Sequence, residues 1–79
     1  MTAIKIRFVK NCEDFYIQRK TIFGWTYITY SIGGGSGDTV DYRYTSKSKE
    51  ALLSDILERY YKKDKRFVKV TEYPTILIY

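Results

Sequence analysis

The sequence contains no histidine, one cysteine and one proline. Without histidine, imidazole-based acid–base catalysis and zinc sites built from cysteine and histidine are excluded. Cys12 has no histidine to activate it as a nucleophile. Glu13 and Asp14 are adjacent in a polar turn, where solvated carboxylates are expected. We therefore expect a protein that is not an enzyme, with no catalytic residue, no metal and no cofactor.

Long hydrophobic runs are also missing. No apolar segment approaches the length of about 20 residues that a membrane-spanning helix needs, so no membrane partner is expected. Charged residues interrupt the first nine positions, which argues against a signal peptide. The single Cys12 fits a reducing compartment. Together these features predict a cytoplasmic protein.

Aromatic and basic residues are plentiful instead. The 79 residues include nine tyrosines, four phenylalanines and one tryptophan, and the formal net charge is +5. Tyrosine, tryptophan and arginine dominate the energetics of many binding interfaces. A chain of this length buries only about 60% of its unfolded surface, and self-association would add buried area. The composition favours binding over catalysis and leaves a homo-oligomer open.

Alternation with a period of two predicts strands in the first half of the chain. Ile4, Ile6 and Phe8 alternate with charged residues, and similar patterns follow over 15–21 and 25–31. Gly24 separates the last two of these segments, and we expect it in the left-handed region of a short hairpin. A fourth strand is expected over 39–45.

The second half of the chain predicts one helix and then one or two strands. Apolar pairs recur every four residues and form one stripe on a helix: Leu52, Leu53, Ile56, Leu57, Tyr60 and Tyr61. Ser46 or Ser48 is the expected N-cap. A last strand begins near position 66, Pro74 breaks its ladder or marks an edge, and 75–79 extends it or forms another strand. The order β-β-β-β-α-β predicts one α+β domain over 1–79, with an antiparallel sheet of four to five strands and the helix on one face.

A glycine-rich segment lies between the third and fourth strands, at positions 33–37. Backbone amides in such turns can hold phosphate. The phosphate-binding loop pattern requires lysine after its last glycine, and Asp38 stands there. A dinucleotide-binding loop would lead into a helix, and none is expected at this point. The segment is either a flexible hairpin connection or a loop, including Gly34 and Gly35, that closes over a partner.

Basic residues concentrate between positions 59 and 69. Six of them oppose one acid there: Arg59, Lys62, Lys63, Lys65, Arg66 and Lys69. Such a segment attracts nucleic acid, nucleotides or an acidic protein face, or it is simply a solvated helix end. Tyr60 and Tyr61 could add a stacking platform, although helical spacing assigns at least one of them to the core. A second basic area is expected if these residues share a face: Lys5, Arg7, Arg19 and Lys20.

The predicted strands contribute a third candidate, a set of aromatic side chains: Tyr16, Trp25, Tyr27, Tyr30, Tyr42 and Tyr44. One helix covers only one sheet face, so the other is expected to expose rings. Large exposed apolar patches mark a partner or an oligomer interface. Burial in the core is the alternative for each ring. The octapeptide that characterises ribonucleoprotein-type sheets is absent.

The segment over 15–28 combines an aromatic strand, a basic turn, Phe23-Gly24-Trp25 and a second strand. Together with the helix start over 49–53 and its end, Arg59-Tyr60-Tyr61, this pattern resembles one that recurs in small uncharacterised proteins of tailed phages. The resemblance implies an accessory protein. Such proteins often bind host or defence components or sequester nucleotide signals.

These observations favour a non-enzymatic binding protein, an inhibitor or sequestering factor of phage origin. Its partner would be a host or defence protein or a small anionic nucleotide. Direct nucleic-acid binding through the segment over 59–69 and a nucleotide sponge are the alternatives. Contact area is expected from Trp25, Tyr27, Tyr30, Tyr42 and Tyr61, and attraction for an anion from Arg19, Lys20, Arg43, Lys62, Lys63 and Arg66.

Overall fold

The computed structural model of this chain describes residues 2–33, 37–63 and 65–78. The elements follow one another as β1 (Thr2–Asn11), β2 (Asp14–Thr21), β3 (Gly24–Tyr27), β4 (Thr29–Gly33), β5 (Thr39–Arg43), β6 (Thr45–Ser46), α1 (Lys49–Asp55), a π-helical turn (Ile56–Tyr60), a 3-10 turn (Lys65–Phe67) and β7 (Val68–Ile78). The α+β class is confirmed. Among these residues, no helix is both long and apolar enough to cross a membrane.

Five strands form the main sheet, in the order β3-β2-β1-β7, with β6 also paired to β2. β1 and β2 are antiparallel neighbours, as their alternating patterns and the short turn between them favour. The predicted hairpin between β2 and β3 is confirmed. Gly24 has a φ of 116° there, in the region that only glycine enters readily.

The expectation of an all-antiparallel sheet was wrong, because β7 runs parallel to β1. The chain crosses from the β2 side through α1 before it returns to the free side of β1, and such crossovers join parallel strands. The pairing shifts register between Arg7 and Val9, opposite Pro74. β7 is an edge strand, which tolerates a proline that lacks an N–H. It continues to Ile78, so 75–78 extends this strand.

The helix packs on one face of the main sheet, as expected. Ser48 is its N-cap, and its side chain accepts a hydrogen bond from the amide of Ala51. The core contains the inward residues of β1 and β2, Ile28 and the helix stripe: Ile4, Ile6, Phe8, Ile17, Ile28, Leu52, Ile56 and Leu57. We call the opposite side of the sheet the distal face.

The expected third and fourth strands do not both belong to the main sheet. Ile28 is buried, and its amide donates to the carbonyl of Ile17, while its carbonyl accepts from the amide of Tyr44. Between Ile28 and Tyr44, β4 and β5 are not part of the main sheet and instead form a separate antiparallel pair. We call these two paired strands the arm. β6 then returns to β2 and continues the edge that β3 began.

Burial predicts the consequence of shortening two isoleucines, Ile17 within β2 and Ile22 just after it. Ile17 is 0% exposed and Ile22 is 93% exposed. We expect Ile17→Ala to lower the free energy of unfolding by about 2–5 kcal/mol, because it removes buried methyl groups and leaves a cavity. Ile22→Ala should change it by less than about 0.5 kcal/mol. Urea unfolding followed by circular dichroism measures both, and equal losses would contradict the assignment of the core.

Candidate functional site

A cavity of about 710 Å³ lies at one end of the main sheet, where β1 begins, β2 ends and β7 begins. We call it the basic cavity. Its charged lining consists of four cations and no acid: Lys5, Arg19, Lys20 and Lys69. Side chains alternate along a strand, so Lys5, Lys20 and Lys69 belong to the distal face and Arg19 to the helix face. The cavity therefore draws its cations from both faces of the sheet.

None of these four cations forms an ion pair with a residue that the structure describes. Elsewhere, Lys47 contacts the carboxylates of Glu13 and Asp14, and Arg59 contacts that of Asp55. Glu13, Asp14 and Asp55 thus neutralise cations away from the basic cavity. Four unneutralised charges around one concave surface create a field that concentrates anions.

Tyr61 lines the basic cavity from the helix side. Its amide donates to the carbonyl of Ile56, five residues earlier, at 3.0 Å, so a wide π turn ends the helix here. Tyr61 packs against the core, while Tyr60 is exposed, which confirms that one of the pair belongs to the core. Burial raises the pKa of the Tyr61 phenol, the neighbouring Tyr60 adds to the rise, and Arg19 opposes it. At neutral pH Tyr61 is therefore a hydrogen-bond donor and not a base.

Rows of side chains cross the distal face beside the basic cavity. One row consists of Tyr73, Arg7, Gln18 and Tyr27, as the strand register dictates. The next row away from the cavity is less polar and contains Ile76, Val9, Tyr16 and Thr45. Lys5, Lys20 and Trp25 lie one row nearer the cavity. The distal face thus changes from cationic to aromatic to apolar along the strands.

Two aromatic rings meet above this face. Trp25 stands on β3 and Tyr73 on β7, with β2 and β1 between them. Three strand spacings amount to about 14 Å, yet the two ring centroids are 5.1 Å apart. The rings must therefore lean inward over the two central strands. Val9, which is only 1% exposed, and Gln18 are buried on this side of the sheet.

Arginines hold the rings of the distal face in place. The Arg7 guanidinium carbon lies 4.5 Å from the centroid of Trp25, and its Nε donates to Gln18 Oε1 at 2.6 Å. Arg43, at the base of the arm, lies 3.9 Å from the centroid of Tyr27. Cation–π contacts of this kind fix both partners. The second basic area predicted from the sequence forms in part: Lys5, Arg7 and Lys20 share the distal face, and Arg19 does not.

The arm contains two further aromatic candidates, Tyr30 and Tyr42, whereas Tyr44 follows the arm and packs against the core. Tyr30 and Tyr42 are cross-strand partners with centroids 5.6 Å apart in a stacked arrangement. Ile32 and Val40 form the next pair on the same face, and all four side chains are 40–55% exposed. At the base of the arm, Tyr30 and Arg43 line a smaller cavity of about 360 Å³ with Asp55 and Arg59 of the helix. The arm presents an apolar face that is separate from the basic cavity.

The predicted site residues therefore fall into separate groups. Arg19, Lys20 and Tyr61 meet at the basic cavity, whereas Trp25, Tyr27 and Arg43 meet on the distal face. Lys62 and Lys63 are exposed beyond the helix, and Arg66 is exposed in the 3-10 turn. The basic segment over 59–69 thus contributes Lys69 to the lining of the basic cavity. Gly34 and Gly35 lie outside the described residues.

Sequence reasoning did not single out Tyr73. Its alternation with Lys69 and Thr71 was visible, but its importance depends on lying beside Arg7. That neighbour comes from a parallel pairing between the two ends of the chain. No local pattern signals such a pairing.

Comparison of the chain with protein-family models, with curated proteins and with solved structures gives no significant match.

The raised pKa of Tyr61 predicts a pH dependence of stability. The unfolded phenol ionises near pH 10, before the folded one, so the contribution of Tyr61 is complete below pH 10 and is lost as the pH rises through its folded pKa. We expect Tyr61→Phe to reduce the loss of stability above pH 10, as measured by urea unfolding at pH 8 to 11. Tyr42→Phe, on the arm, is the matched control and should follow the wild type. Parallel curves for all three proteins would contradict the assignment.

Proposed function

We propose that this chain is a non-enzymatic binding protein that captures a small phosphorylated ligand, a nucleotide, in the basic cavity. The observation that carries the proposal is the convergence on one concave surface of four cations that form no ion pair with any described residue. Phosphate groups bind lysine and arginine through charge-assisted hydrogen bonds, which are roughly twice as strong as neutral ones. Thr21 and Thr71 line the same cavity and add hydroxyl groups.

The dimensions of the cavity agree with a ligand of this class. Pockets for small molecules and cofactors measure about 300–1,000 Å³, and the basic cavity has about 710 Å³. Its lining also includes Ala3, Ile4 and Ile22, which offer apolar contact to a sugar or base. A bare inorganic anion would use only part of this surface.

The residues that line the basic cavity support binding of a nucleotide without its chemical conversion. Its cations can hold negative charge, and Tyr61, with a raised pKa, stays protonated. A general base would need a pKa near the working pH. In the phage setting that the sequence resemblance implies, binding alone would sequester a nucleotide signal from a host or defence component.

Charge at the basic cavity should control nucleotide affinity. We expect ATP to raise the melting temperature of the wild type, because a ligand that binds only the folded state stabilises it by mass action. Lys69→Met removes one charge at the cavity and keeps an apolar stem, so we expect it to weaken affinity at least fivefold. Lys10→Met, at the opposite end of β1, is the control and should bind like the wild type. Equal affinity of the two variants in calorimetry would place the ligand elsewhere.

A second candidate function is protein binding through the arm. The observation that favours it is the exposed apolar face of Tyr30, Ile32, Val40 and Tyr42, because an isolated two-stranded hairpin is only marginally stable in water. A host or defence protein that packs on this face would stabilise the arm. Tyr and Ile are residue types that supply contact area without charge.

A charged substitution on the apolar face of the arm should abolish binding of a partner protein there and leave the basic cavity unchanged. We expect Ile32→Lys to release a protein that wild type and Lys69→Met both retain in affinity capture from host lysate. Light scattering of the same proteins reports self-association, which Ile32→Lys should also reduce if the partner is a second copy. A protein retained equally by wild type and Ile32→Lys does not bind through the arm.

A further inference from the structure

We propose that the ligand of this protein is a single-stranded oligonucleotide, whose phosphates enter the basic cavity and whose bases stack on the distal face. This inference rests on the proposed function and extends it from one nucleotide to a strand. Its basis is the continuity of the two surfaces. Lys5, Lys20, Lys69 and Thr71 line the basic cavity and also belong to the distal face.

The distal face offers the two components that sequence-tolerant binding of a single strand requires. Such proteins combine a cationic path for the backbone with aromatic rings on which bases stack. Here Lys5 and Lys20 line the cavity, and the next row along the strands contains Arg7 together with Tyr27 and Tyr73. Rows are about 7 Å apart along a strand, so several nucleotides are needed to cover them.

Contacts with neighbouring side chains hold the rings of the distal face in fixed positions. The Trp25–Tyr73 contact spans two strands, and the Arg7 guanidinium beside Trp25 is fixed by Gln18. Arg43 adds a planar guanidinium above Tyr27, and such planes stack on bases as aromatic rings do. Preorganised rings reduce the entropy that a ligand must otherwise remove on binding.

Charge complementarity identifies the occupant as a polyanion. On the distal face the acidic side chains are remote from the rings: Asp14 lies at the far end of β2, where its carboxylate contacts Lys47 at 2.7 Å, and Asp41 lies on the arm and accepts a hydrogen bond from Ser31. Glu72 precedes Tyr73 on β7 but belongs to the helix face, beside Ile6. An apolar protein partner would leave Lys5, Arg7 and Lys20 unneutralised. A duplex would present phosphates, but its stacked bases could not reach Tyr73 and Trp25.

Trp25 is the single tryptophan of the chain, so its fluorescence reports directly on this face. We expect an eight-nucleotide oligothymidylate to quench Trp25 emission and to bind at least tenfold more tightly than thymidine monophosphate. A blunt duplex of the same length should bind more weakly than the single strand. The logarithm of the affinity should fall with the logarithm of the salt concentration, with a slope of about −0.7 for each phosphate contacted.

Substitutions of Tyr73 distinguish the stacking of bases on the distal face from the attraction of phosphates by the cations. Tyr73→Leu should weaken binding of the oligonucleotide about tenfold, which is within the range for loss of one stacked base, and leave thymidine monophosphate unaffected. Tyr73→Phe keeps the ring and should restore affinity. Tyr42→Leu, on the arm, is the matched control and should bind both ligands like the wild type. Circular dichroism melting confirms that each variant is folded.

The outcomes distinguish this inference from the function on which it rests. If the mononucleotide binds in a Lys69-dependent manner but the oligonucleotide binds no more tightly and Trp25 emission is unchanged, the strand inference is wrong and nucleotide capture stands. If the duplex binds as well as the single strand, or Tyr73→Leu has no effect on the oligonucleotide, the stacking platform is also wrong. If neither ligand binds, both proposals fail.

Discussion

The parallel pairing of β1 with β7 is the constraint on which the rest of the structure depends. It places β1 in the centre of the main sheet, so that Ile4, Ile6 and Phe8 are buried beneath the helix stripe. The same pairing sets Lys69 beside Ala3 and Tyr73 beside Arg7. The same strand pairing therefore positions both the core and the candidate site. A slip of one residue in this register would turn the core residues outward and disperse the cations of the basic cavity.

Charge is distributed unevenly over the molecule. Ion pairs occupy the far end of β2 and the helix surface, where Lys47 contacts Asp14 and Arg59 contacts Asp55. The cations around the basic cavity form no ion pair with any residue that the structure describes. Placing like charges together costs free energy, and an anionic ligand would relieve that repulsion. The arm adds a second, uncharged surface, so one small chain can present two chemically different faces.

Local patterns predicted much of the secondary structure. The period-two alternation of β1 and β2, the positive φ of Gly24 and the Ser48 N-cap are short-range effects that neighbouring residues decide. The helix stripe was also predicted, although the π turn that orients Tyr61 was not. The arm was missed because Trp25, Tyr27 and Thr29 alternate as one strand would. The break between β3 and β4 depends on the burial of Ile28 and on its hydrogen bond to Ile17, which belongs to another strand.

The sequence by itself determined the residue types: a chain without histidine, rich in tyrosine and basic in charge, with one amphipathic helix and several strands. These properties follow from composition and from the periods of 2 and 3.6 residues, which need no knowledge of distant neighbours. Only the tertiary structure decided which of these residues lie next to one another. Lys5, Arg19, Lys20, Tyr61 and Lys69 are up to 64 positions apart, and Trp25 meets Tyr73 across two strands. Such meetings depend on strand order and register, which the core selects by burying one face of every strand at once.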